Sequence, residues 1–80
     1  MDVSSAVQAV KKDLEATFGN TLAASIIAIA RTKAGAPLIG MSKQNYLDLV
    51  DAICGDNRVH SMLGAAGSKE RSMKWKKLAD

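Results

Sequence analysis

The stretch Leu22-Ala23-Ala24-Ser25-Ile26-Ile27-Ala28-Ile29-Ala30 is apolar on nearly every side when wound at helical spacing. Only Thr21, Ser25, Ala28 and Thr32 line up as a narrow row of small residues suited to water. A helix that is apolar almost all round is usually buried by its neighbours. The pattern therefore predicts that the rest of the chain packs around this segment. The run is far too short to span a bilayer and is followed at once by Arg31 and Lys33. Those two cations suit the negative end of a helix dipole, and Gly35 stops the helix.

On the N-terminal side, Val3, Val7, Val10, Leu14 and Phe18 fall on one helical stripe, with Ala6 beside it. Ser5 and Gln8 have the spacing of a capping box, with Asp2 or Ser4 as alternative caps. Gly19 ends this first helix, and Asn20 or Thr21 is placed to cap the second. So short a link makes the two helices an antiparallel hairpin.

On the C-terminal side, Pro37 forces Ala36 into an extended conformation, so residues 34–40 read as a loop. Leu38 and Ile39 are expected to tuck against the core. Ser42 caps a third helix, with Met41 and Tyr46 spaced as a hydrophobic staple. Its inward stripe is Tyr46, Leu49, Val50 and Ile53, flanked by Leu47 and Cys54, and Gly55 ends it. Asp56 caps a short fourth helix with Val59, Met62 and Leu63 inward, stopped at Gly64. Ala65-Ala66-Gly67 reads as a joint and Ser68 as the cap of a last helix, on which Arg71, Trp75 and Leu78 share a side. Having little apolar surface, residues 68–80 are expected to be the most loosely docked part of the chain.

The expected fold is all-α: one domain over residues 1–80, a compact bundle of four to five short helices around a buried second helix. A chain of this size buries roughly 60% of the surface its unfolded form exposes, so its stability is modest. The aromatic residues are Phe18, Tyr46 and Trp75 alone, so the core is aliphatic. One cysteine forms no internal disulfide, and no signal-peptide pattern is present, which makes a reducing cytoplasm the default.

The net charge of +3 is unevenly placed. Residues 1–57 carry five basic against six acidic residues, and residues 58–80 six against two. Arg58, Lys69, Arg71, Lys74, Lys76 and Lys77, with Trp75 among them, form a candidate contact for nucleic acid or an acidic partner. Trp75 also reads as a plug for the open end of the helix cluster.

Other motifs carry less. Residues 50–59 have the outline of a helix-turn-helix, but Asp56 follows the turn glycine and repels phosphate. Residues 64–69 have neither the spacing nor the preceding strand of a phosphate-binding loop. Cys54 reads as a small buried hydrophobe. Cys54 and His60 have no acid or oxyanion donor beside them and make only two metal ligands. Asp48 and Asp51 read as a wet helix face. No cofactor, metal or catalytic constellation is indicated.

The resulting expectation is a non-catalytic interaction module that binds a protein partner or itself. The alternative is nucleic-acid binding through the basic C-terminal segment. Leu38, Ile39, Leu47, Met62, Met73 and Trp75 are the apolar residues expected at a contact.

Overall fold

Asp2 opens the first helix. Its carboxylate accepts the Ser5 N–H at 2.7 Å, so Asp2, not Ser5, is the cap. The computed structural model describes residues 1–80 and contains four helices and no strands: α1 (Val3–Phe18), α2 (Asn20–Ala34), α3 (Lys43–Cys54) and α4 (Asn57–Lys77). Ser42 caps α3 in a capping box with Asn45, and Asp56 caps α4 by accepting the Arg58 N–H at 2.8 Å.

Two glycines make the corners. Gly19 (φ 83°, ψ 165°) both ends α1 and starts α2, and no side chain caps α2. Neither Asn20 nor Thr21 is needed there, because a single residue does the turning. Gly64 (φ 74°, ψ 173°) has nearly the same conformation and breaks α4 between its first turns and residues 65–77. Backbone in this region is essentially confined to glycine. Ala65, Ala66 and Gly67 are helical, not a joint, since Gly64 has already supplied the change of direction. Ser68 is consequently inside the helix, buried, and caps nothing.

All four helices supply the core. α1 contributes Ala6, Val10 and Leu14; α2 contributes Ala23, Ile26, Ile27 and Ala30; α3 contributes Tyr46, Leu49, Val50 and Ile53; α4 contributes Val59 and Trp75. Consecutive helices pack on one another, and α3 also touches α1. The stripes of α1 and α3 match their apolar periodicity. On α2 the open strip is broader than the sequence pattern implies. Thr21, Ala24, Ala28 and Thr32 face water, and Ile29 is 45% exposed. Ser25 is half-covered, because the Arg58 guanidinium donates to its hydroxyl at 3.2 Å.

Met62 is not inward as its helical spacing predicts, and instead has the exposure an apolar contact needs. It lies 60% exposed, while Val59 is buried and Leu63 half-buried on the same short segment. The end of the chain is tied down at both termini. The N-terminal ammonium donates to the Leu78 carbonyl at 2.9 Å, and Lys43 pairs with Asp80 at 3.1 Å. No helix is long and apolar enough to cross a membrane.

Candidate interaction surface

The basic stretch at the end of α4 is largely occupied by the molecule's own acids. Asp13 on α1 is the hub. Its Oδ2 accepts the Trp75 indole N–H at 2.8 Å and meets Arg71 at 3.3 Å and Lys74 at 3.6 Å. The indole hydrogen bond, helped by the two nearby cations, holds the Asp13 carboxyl below the usual aspartate range against the opposing effect of burial. Arg71 also lies over the Trp75 ring, 5.7 Å from its centroid. Lys76 pairs with Asp51 at 2.7 Å. Arg58 bends back onto Asp56 at 2.9 Å, and this hydrogen-bonded pairing lowers the Asp56 pKa. Lys69 and Lys77 are exposed and make no ion pair.

Trp75 is 1% exposed. Its placement as a surface contact, for a base or for an apolar partner, is therefore corrected: it is a core residue that plugs the bundle. Tyr46, also fully buried, donates its hydroxyl to the Trp75 carbonyl, and burial pushes the phenol pKa up to about 12. Two buried aromatics, an indole hydrogen bond and a phenol hydrogen bond thus fix the helix that the sequence marks as loosest.

The expected apolar contacts divide. Leu47 is half-buried against the core. Met73 is 53% exposed, as Met62 also is to a similar degree. Leu38 and Ile39 do not tuck inward at all; they are 78% and 91% exposed. The reason is local. Gly35 ends α2 in the left-handed conformation and Gly40 takes φ 75°, and beyond the buried Ala36 the chain between them loops outward. No backbone hydrogen bond ties residues 37–41 to the rest of the molecule.

This loop forms one wall of an open groove of about 460 Å³. Val3, Ser4, Val7 and Gln8 of α1 make the facing wall, and Met41 and Arg31 complete it. Arg31 is the groove's one charged residue, and its Nε is covered without a hydrogen-bond partner. The groove residues outside the loop, Arg31 above all, are not signalled by the sequence. Arg31 reads there as a cation suited to a helix C-terminus. A Pro37–Gly40 bracket around two large aliphatic residues is the signal that was available for the loop itself.

The remaining candidates stay apart from any constellation. Cys54 is half-buried, and burial together with nearby Asp51 raises its thiol pKa, which disfavours thiolate. His60 is exposed on α4 and no hydrogen bond joins it to Cys54. Asp48 accepts from Gln44 at 2.9 Å on the wet face of α3. No three metal-ligating side chains come together. A pocket between α1, α2 and α3, lined by apolar side chains that include Val7, Ile27 and Val50, holds only about 10 Å³, too small for a ligand.

Comparison with known proteins finds no matching family model, no similar curated protein and no matching solved structure.

Proposed function

We propose that this chain is a non-catalytic interaction module that docks a protein partner through its outward loop. The observation that carries the reading is the exposure of Leu38 and Ile39 beside a groove partly walled by Val3 and Val7. Two adjacent large aliphatic side chains held in water are costly, by roughly 1.5–3 kcal/mol each relative to full burial. A partner that covers them recovers that free energy. A small domain of modest stability gains in the same way from anything that binds its folded form. A reducing compartment such as the cytoplasm suits its single thiol.

Nucleic-acid binding is supported less well. Arg58, Arg71, Lys74 and Lys76 each face an aspartate of the same chain, and Trp75 is unavailable for stacking. Lys69 and Lys77 alone of that set make no ion pair, which leaves few unpaired cations for a strongly salt-dependent contact.

The test is affinity capture with the wild-type chain and with Leu38→Ser/Ile39→Ser side by side, after equal folding of the two is established. The proposal expects specific partners retained by wild type and lost by the double variant. Equal retention by both overturns it. Solution mass at two protein concentrations separates a partner protein from a second copy of the chain.

A further inference from the structure

We infer that the segment docking beside the loop carries an aspartate or glutamate flanked by apolar residues, and that its carboxylate is received by Arg31. This deepens the docking reading proposed above and rests on it.

The chain has three arginines, Arg31, Arg58 and Arg71. Arg58 meets Asp56 and Arg71 meets Asp13, each within ion-pair distance. Arg31 meets no acid and makes no side-chain hydrogen bond, although it is half-buried and its Nε is covered. A position in the last turn of α2 accounts for a positive charge there, through the helix dipole. It does not account for a guanidinium that lines an apolar groove and, unlike those of Arg58 and Arg71, has no carboxylate of its own chain beside it. The planar guanidinium fork matches a carboxylate with two parallel hydrogen bonds.

The surroundings specify the rest of the occupant. No acidic residue lines the groove, so nothing there competes for Arg31 or repels an incoming carboxylate. Val3, Val7, Leu38, Ile39 and Met41 give that carboxylate apolar flanks to either side. The net charge of +3 favours an acidic partner at long range. A small carboxylate lying in the groove would not suffice. Ile39 stands 91% exposed on the rim, and covering it takes an occupant that rises above the groove, as a segment of a folded protein does.

The experiment uses a random peptide library displayed on phage and panned against the full chain, against Arg31→Gln and against Leu38→Ser/Ile39→Ser. Wild type is expected to enrich peptides in which an acidic residue neighbours aliphatic or aromatic ones. Arg31→Gln is expected to lose the acidic preference and to bind the strongest wild-type peptide about tenfold or more weakly, as the loss of a charged hydrogen bond implies. Arg31→Lys, which keeps the charge and loses the fork, should fall between. It also guards against a fold defect peculiar to the glutamine variant. In the wild-type complex the Arg31 Nε–H resonance should shift.

Enrichment of apolar peptides without an acid, lost on the loop variant, overturns this inference and leaves the docking reading standing. Peptides that bind the loop variant as well as wild type overturn the docking reading itself. No enrichment on wild type overturns the inference. Octanoate that shifts the Arg31 resonance as fully as the peptide, with Ile39 unaffected, replaces the peptide by a small carboxylate and also overturns it.

Discussion

Trp75 and Ile39 are both large apolar residues, and they end in opposite environments. Trp75 is 1% exposed and Ile39 is 91% exposed. Hydrophobicity alone does not separate them. What separates them is the backbone that carries each and the polar partners within reach. Trp75 sits on a helix, its indole N–H held by Asp13 and its carbonyl by Tyr46. Ile39 sits between Pro37 and Gly40 on backbone that bonds to nothing. A helix delivers a side chain to a fixed place in the core; an untied loop leaves it where the turn geometry puts it.

The largest effect expected from this contrast is that of Trp75→Ala. Removing a fully buried indole costs about 3–5 kcal/mol. In a domain this small that is a large fraction of the folding free energy, so the urea midpoint should fall steeply towards zero denaturant. A loss below about 1 kcal/mol would mean that the last helix contributes little to the bundle, and the contrast with the loop would vanish.

Gly64→Ala should follow. No atom lies within 4 Å of an added Cβ, so the cost comes from φ 74° alone. Holding a non-glycine residue in that backbone region costs about 1–3 kcal/mol. A neutral result in thermal unfolding would show that α4 runs straight through residue 64, carrying Trp75 away from Asp13.

The pH dependence is smaller and has a defined sign. The folded Asp13 pKa lies below its unfolded value, so its contribution to stability is fully present above about pH 4. It is lost as pH falls through the lower, folded value. Asp2 and Asp56 shift in the same direction. The stability gap between wild type and Asp13→Asn in urea should therefore narrow from neutral pH towards pH ~3. A gap that stays constant would separate Asp13 from the anchoring of Trp75.

Least of all should follow from Leu38→Ser/Ile39→Ser. Both side chains are exposed, so the melting curve should stay within about 0.5 kcal/mol of wild type per site. A large loss would place the loop against the core, as its composition suggests.

Much of the bundle was legible from spacing. Val10 and Leu14 on α1, and Tyr46, Leu49, Val50 and Ile53 on α3, are buried as their periodicity predicts. Gly19, Gly35, Gly55 and Gly64 each mark a helix end or corner. Features resting on contacts between distant residues were not legible. Nothing local links Asp13 to Trp75, so the sequence shows a basic tail where the structure has a paired and anchored helix. Ser68 reads as a cap because serine favours caps, but Gly64 had already turned the chain. The groove was half legible. The sequence marks Leu38 and Ile39 as contacts yet also predicts that they tuck inward, because periodicity is silent about a loop. Arg31 joins them only through the fold.

Amide hydrogen exchange across the whole chain measures both sides of the contrast at once. The helical amides around Trp75 should be protected to the level of the α1 and α3 core amides, while those of Leu38, Ile39 and Gly40 exchange without measurable protection. If residues 69–77 exchange well ahead of the core, or the loop is protected along with it, the division into an anchored helix and a free docking wall is contradicted.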